Sequence, residues 1–164
     1  EIINSIRLHG KGSQKYDNVR VGINSRLDTI QAAILINKLK IFPNELMLRQ
    51  KISERYNELL SDFVCTPNIP DYMRSAWAQY TIKSEKRDEL KAELGRNGIP
   101  SIVYYPIPLS KQEGYSHYPS VSSGLSISER LSKEVLSLPL SPYMNNKTID
   151  KIAKTVVSFF EIAK

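Results

Sequence analysis

The stretch Gly22-Ile-Asn-Ser-Arg-Leu-Asp-Thr-Ile-Gln-Ala-Ala-Ile-Leu35 decides how the rest of the chain is read. It joins a basic loop to the start of an amphipathic helix. Ser25 has the chemistry of an N-cap, and Asp28 follows at capping-box spacing, with Asp in place of Glu. Leu27, Ile30 and Ile34 recur as the stripe of a helix packed on one side. This reading puts Asn24 and Arg26 at the mouth of a helix, where free backbone N–H groups and the helix dipole favour an anion. On chemistry alone, Asn24 and Ser25 are equally well explained as capping residues.

Outward from this segment, composition sets the bounds. A chain of 164 residues is long enough to bury a core. With 41% hydrophobic and 24% charged residues it has the make-up of a soluble globular protein. No apolar run reaches membrane-span length and no signal-peptide pattern opens the chain, so no membrane partner is expected. Cys65 is the single cysteine, which excludes an internal disulfide framework and fits a reducing, cytoplasmic setting. It reads as a small apolar residue. The net charge of +6 is compatible with a polyanionic partner. Most charges are interspersed, however, and no nucleic-acid motif is present, so nucleic acid is not an expected partner. The local basic excess is Arg7, Lys11, Lys15, Arg20 and Arg26, opposed by Asp17 and Asp28. It reads either as a solvated loop or as a surface facing a phosphorylated ligand.

Residues 1–8 read as the tail of a helix already under way, with Ile2, Ile3 and Ile6 as its apolar face. A polar loop follows, punctuated by Gly10, Gly12 and Gly22. A helix over 27–40 is expected to stop at Pro43, and a second helix carrying Leu46, Ile52, Tyr56, Leu59 and Leu60 makes a hairpin or kinked pair with it. Residues 77–82 alternate as a strand. Ser84 can cap a helix over 85–96. Residues 99–105 read as a second strand whose start Pro100 demotes to an edge. A helix over 127–136, an extended piece at 137–140 and a final helix from Asn146 complete the chain. The last helix has the clearest 3.6-residue stripe, Ile149, Ile152, Ala153, Val156, Val157 and Phe160. The fold class is α+β, with helices packed on a small, mainly antiparallel sheet.

Several chemistries lack their residues. No Gly-x-Gly-x-x-Gly follows a strand, and the glycine spacing of 9–13 is wrong for a phosphate loop. His9 and His117 have no cysteine or carboxylate partners at metal spacing, so no metal is expected. No nucleophile elbow is present.

The 22–35 segment resembles the Asn-x-Arg-[Leu/Met]-[Asp/Ser]-x-[Ile/Leu]-Gln-Ala-Ala stretch of the DegT/DnrJ/EryC1/StrS family of sugar-nucleotide aminotransferases. Three further stretches resemble the family in family order. They are Trp77-Ala-Gln-Tyr-Thr-Ile82, Val103-Tyr-Tyr-Pro-Ile-Pro-Leu-Ser110 with Gln112, and Ser137-Leu-Pro-Leu-Ser-Pro142. Ser110 stands where the family often has histidine.

The resemblance implies the C-terminal part of a fold-type-I enzyme that uses pyridoxal 5'-phosphate. It implies a connector over 1–62, made of the end of a large-domain helix, an active-site loop and long helices, and a small α+β domain over 63–164. Asn24 matches the residue that reaches the cofactor phosphate across the family's dimer, and Arg26 matches a residue near the bound sugar. Tyr104 and Tyr105 match residues that line the partner subunit's substrate pocket, whereas chemistry alone also allows an aromatic pair in the core. The implied partners are a second copy of the chain, a nucleotide-sugar and an amino-acid donor. The lysine that carries the cofactor in the family lies upstream of the 22–35 motif, so this chain is expected to be inactive alone. The phrase Lys15-Tyr-Asp-Asn-Val-Arg20 resembles the branch acting on a UDP-linked 3-keto-N-acetylglucosaminuronic acid in surface-polysaccharide synthesis; a 4-keto-sugar is the rival substrate. A different class of function is a truncated, catalytically inactive small domain that acts as a dimerising or binding module.

Overall fold

A computed structural model describes residues 1–14 and 16–162. Lys15, part of the basic excess and of the 15–20 phrase, lies outside the described residues. The chain divides into two compact units, Glu1–Pro43 and Asn44–Lys164.

The first unit opens with helix α1, Ile2–Ile6, and a tight turn in which His9 and Gly10 both have positive φ. The loop doubles back, with the Gly12 N–H donating to the Asp17 carbonyl and the Val19 N–H to the Gly10 carbonyl. Helix α2, Thr29–Leu60, begins in this unit. Among the described residues of the unit only Gly10 is buried. Ile2 and Ile3, read as an apolar packing face, are exposed, as are Leu27, Ile30 and Ile34. From Ile30 to Phe42, apolar side chains leave α2 in almost every direction, which is the pattern of a helix enclosed by other chain on several sides.

Two expectations for α2 are corrected. The helix starts at Thr29 rather than Leu27, because Asp28 instead of Ser25 caps it: Asp28 Oδ1 accepts the Gln31 N–H at 2.8 Å. Pro43 sits inside the helix instead of ending it. A proline removes one N–H and crowds the carbonyl four residues back, at a cost of ~3 kcal/mol. The other hydrogen bonds of the flanking turns, and the packing of the turns beyond it, outweigh that local loss.

The second unit holds the core. Strands β1, Tyr80–Lys83, and β2, Val135–Leu138, pair antiparallel, with Tyr80 opposite Leu138 and Lys83 opposite Val135. Helices α3, Arg87–Arg96, α4, Ser126–Glu134, and α5, Asn146–Ile162, complete the α+β architecture. The α5 stripe reads as expected: Ile149, Ile152, Ala153 and Val156 are buried. They meet Ile52, Tyr56 and Leu60 of α2, Tyr80 and Ile82 of β1, Leu90 and Leu94 of α3, and Leu136 of β2 in one cluster. Each buried leucine, isoleucine or valine here contributes about 1.5–3 kcal/mol by leaving water. The buried phenols are bonded as well. Tyr56 Oη donates to the Pro139 carbonyl at 2.9 Å and Tyr80 Oη to Asn57 Oδ1 at 2.6 Å. Burial pushes both phenols well above the ordinary tyrosine range.

Three segments differ from expectation. The strand read at 77–82 begins at Tyr80, because Trp77 has a φ of 47° and breaks the extended run. Its indole N–H donates to Gln50 Oε1 at 2.6 Å. The strand read at 99–105 is reduced to a single bridge between Ile102 and Ser137, since Pro100 has no N–H for a ladder. The helix over 127–136 ends at Glu134, and Val135 and Leu136 join β2. Cys65 is exposed, while its backbone bridges Lys83. Among the described residues no helix is long and apolar enough to cross a membrane.

Candidate functional site

Two pairs of residues carry the functional reading, one in each unit. In the first unit, residues 22–25 run antiparallel to the segment that follows α1. Ile23 N–H donates to the Ile6 carbonyl at 2.8 Å, His9 N–H to the Ile23 carbonyl at 3.0 Å, and Ser25 N–H to the Arg7 carbonyl at 2.9 Å. Asn24 therefore sits between two clipped residues and bridges Leu8. Gly22 makes this approach possible. A Cβ there would lie 2.1 Å from the Gly10 nitrogen and 2.5 Å from the Ile6 oxygen, inside the backbone it packs against. The glycine is required by contact.

The side chains of Asn24 and Arg26 are exposed and make no hydrogen bond or ion pair with other described residues. They offer an amide and a guanidinium, both able to donate to phosphate or carboxylate oxygens. The sequence reading placed them at a helix mouth that was itself the anion site. The structure corrects this. Arg26 lies three residues before Thr29, and the carboxylate of Asp28 already occupies a position at the helix start. Any anion held here meets the two side chains rather than the first turn of α2.

In the second unit, Tyr104 and Tyr105 lie just beyond the Ile102 bridge to β2. Their rings are edge-on at 5.5 Å, and the peptide between them is cis. Tyr104 is 38% exposed and Tyr105 71%, so the alternative of a core aromatic pair does not hold. They open onto a cavity of about 550 Å³. Ile107, Pro108 and Leu109 continue their wall, and Leu131, Ser132 and Val135 contribute a second one. Such a lining gives flat apolar contact with a few hydroxyl groups, which suits a sugar or another ring with polar edges. Ser110 Oγ is buried and has no hydrogen-bond partner among the described residues.

The contribution of α4 and β2 to this cavity was not foreseen. Ser128, Leu131, Ser132 and Val135 carry no motif, and only their place in the fold brings them to the same cavity as the tyrosines. Among the described residues no group of three or more His, Cys, Asp or Glu could hold a metal ion.

Comparison with known proteins matches residues 1–157 to the DegT/DnrJ/EryC1/StrS aminotransferase family. The chain is 38% identical over 157 residues to the UDP-2-acetamido-2-deoxy-3-oxo-D-glucuronate aminotransferase of Pseudomonas aeruginosa, covering 95% of this chain and 43% of that protein. It is 33% identical over 157 residues to the dTDP-3-amino-3,6-dideoxy-alpha-D-galactopyranose transaminase of Aneurinibacillus thermoaerophilus, covering 95% of this chain and 42% of that protein. Among solved structures, a DegT DnrJ EryC1 StrS aminotransferase from Brucella abortus superposes with a TM-score of 0.94 at 51% identity, over 97% of this chain and 43% of that one. The chain thus spans well under half the length of these relatives. With its motifs in family order and its fold shared over nearly its whole length, the chain belongs to the DegT/DnrJ/EryC1/StrS aminotransferase family.

Proposed function

We propose that this chain is the C-terminal part of a pyridoxal-phosphate-dependent aminotransferase that places an amino group on a nucleotide-linked keto-sugar for surface-polysaccharide synthesis. The observation that carries this reading is the clip at 22–25. Backbone hydrogen bonds on either side of Asn24 hold it in place, while its amide and the Arg26 guanidinium make no hydrogen bond or ion pair with other described residues. The two donors suit the anionic parts of the cofactor and of a nucleotide-sugar. In this reading residues 1–62 form the connector and active-site loop, and residues 63–164 form the small domain.

Asn24 donates its amide to the cofactor phosphate in the active site of a partner subunit, adding no charge of its own. Arg26 grips a carboxylate or phosphate of the sugar nucleotide through parallel hydrogen bonds. Tyr104 and Tyr105 present ring faces to the sugar and hydroxyl groups to its polar edges. When bound, pyridoxal phosphate supplies the electron sink for moving the amino group from an amino-acid donor to the sugar. Carbon 3 is the favoured position, because the names of both relatives given above carry oxygen or nitrogen there. A UDP-linked 3-keto-N-acetylglucosaminuronic acid is the substrate that fits Arg26 best, its uronate supplying a second anion.

In this reading the cofactor-bearing lysine lies outside these 164 residues, and the 164 residues alone do not transaminate. The test is to purify the complete polypeptide that contains this chain, supply glutamate and UDP-linked 3-keto or 4-keto sugars, and look for the amino-sugar by mass spectrometry. Formation of the 3-amino product by the complete polypeptide, and none by the chain alone, is the expected result. Turnover by the chain alone, or a complete polypeptide that neither binds the cofactor nor aminates any keto-sugar, overturns the reading.

A further inference from the structure

Arg87 is the one charged residue in the buried class among those described, only 7% exposed. It opens α3, yet its guanidinium leaves that helix. Nη1 donates to the Ser132 carbonyl at 3.2 Å and to the Val135 carbonyl at 3.1 Å. Nε lies 2.6 Å from Asp88 Oδ1, an ion-pair contact in which the N–H is not aimed at the oxygen. Just upstream, the Ser84 N–H donates to the Glu134 carbonyl at 3.0 Å. Residues 84–87 thus fasten three carbonyls, those of Ser132, Glu134 and Val135, at the junction where α4 becomes β2. The carbonyls of a last helical turn have no following helical N–H, and a buried cation is a strong donor to put there.

This junction is also part of the cavity. Ser132 and Val135, whose carbonyls Arg87 holds, line the same cavity as Tyr104 and Tyr105 and belong to its second wall. The tyrosine wall depends on the same strand. Ile102 N–H donates to the Ser137 carbonyl at 3.2 Å, and Ser137 N–H returns to the Ile102 carbonyl at 2.8 Å, two residues before Tyr104. Both walls therefore take their register from β2, one at Val135 and one at Ser137. A buried charge is costly to desolvate, and an apolar side chain often serves a core equally well. What an apolar residue cannot do is hold two carbonyls at a helix-to-strand switch.

We propose that Arg87 is a positioning residue: it sets the separation of the two walls of the Tyr104–Tyr105 cavity by pinning the start of β2. The proposal rests on the reading of this cavity as substrate-facing, and its test has one arm that does not. In the 164-residue chain, Arg87→Met is expected to speed amide exchange at Ile102 and Ser137 by tenfold or more. Ile152 and Val156 of α5 should be unchanged. In the complete polypeptide the same substitution is expected to raise KM for the keto-sugar nucleotide severalfold, with kcat within twofold and the reaction with the amino donor unaffected. Arg87→Lys, which keeps the charge on a single donor head, should fall between wild type and Arg87→Met in both arms. If Arg87→Met does not fold, Arg87→Lys carries the comparison.

Equal acceleration at all four amides means that Arg87 only stabilises the core, and this overturns the proposal. Unchanged exchange at Ile102 and Ser137 overturns it as well. Altered exchange at these two amides with unaltered KM keeps Arg87 as the pin of β2 and refutes the assignment of the cavity to substrate. A complete polypeptide without transaminase activity refutes the proposed function, and the exchange arm still decides whether Arg87 positions the walls.

Discussion

Replacing Gly22 by alanine should release Asn24 without unfolding the second unit. The added Cβ would lie 2.1 Å from the Gly10 nitrogen, 2.5 Å from the His9 carbonyl carbon and 2.5 Å from the Ile6 oxygen. All three are backbone atoms, so no side-chain rotation relieves the overlap, and the strands of the clip must separate by more than an ångström. The hydrogen bonds of 2.8, 2.9 and 3.0 Å that join 6–9 to 23–25 do not survive such a movement. At about 0.5–1.5 kcal/mol net for each bond, the local loss is about 3 kcal/mol. Since 1.4 kcal/mol is a factor of ten in an equilibrium, the amides of His9, Ile23 and Ser25 should exchange roughly a hundredfold faster. Hydrogen exchange read by NMR measures each directly, with Ile152 and Val156 as unaffected references. Wild-type exchange rates at these three amides in Gly22→Ala would refute the argument. So would a wild-type chain in which they are unprotected.

Further outcomes follow from other contacts. Asp28→Ala removes the acceptor of the Gln31 N–H and should cost about 1 kcal/mol of helix stability, read as faster exchange at Gln31; Asp28→Asn should restore most of it, and equal behaviour of the two variants would count against the cap. Tyr56 and Tyr80 have folded-state pKa values raised by burial, so the folded chain holds their protons more tightly than the unfolded chain does. Their stabilising contribution is therefore fully present below about pH 10 and is lost as pH rises from there towards the folded values, by up to ~1.4 kcal/mol per pH unit for each. Denaturant unfolding between pH 8 and 11, with ultraviolet titration of the phenols, checks this; all nine tyrosines ionising near pH 10 in a chain that keeps its fold would contradict it. The 164-residue chain exposes Ile30, Ile34, Leu35, Leu39 and Phe42 on one helix, so sedimentation should show concentration-dependent association that the pair Leu35→Lys and Leu39→Lys reduces. A wild-type chain that stays monomeric at high concentration would refute that expectation.

Periodicity made α5 legible, because one side of that helix faces a single core and its apolar residues recur at the helical period. The same rule misled at α2. Ile30 and Ile34 have the right spacing, yet they are exposed, and apolar residues occur all around that half of the helix. Pro43 was over-read: a proline's cost is local, and a 32-residue helix can bear it. Trp77 and Pro100 shortened two strands because one unfavourable backbone position is enough to end a ladder. At the candidate site, Asn24, Arg26, Tyr104 and Tyr105 were found through wording shared with a family. Nothing in the sequence pointed to Ser132, Val135 or Arg87, since long-range pairing alone joins residue 87 to residues 132 and 135. The role of Gly22 was equally hidden, because it depends on a backbone twelve residues away.

The clip at 22–25 separates where a residue stands from what that residue is. Its three bonds run from amide to carbonyl and use no side chain of residues 6–9 or 23–25. Any sequence that keeps glycine at 22 can therefore hold position 24 at the same place. Position 26, next to the clip and without a side-chain partner among the described residues, can vary without disturbing it. If Arg26 meets the sugar as proposed, substrate preference can drift by single substitutions at 26, each tried on an unchanged frame. A designer seeking a different anionic sugar could work at Arg26 first and leave Gly22 and Asn24 alone.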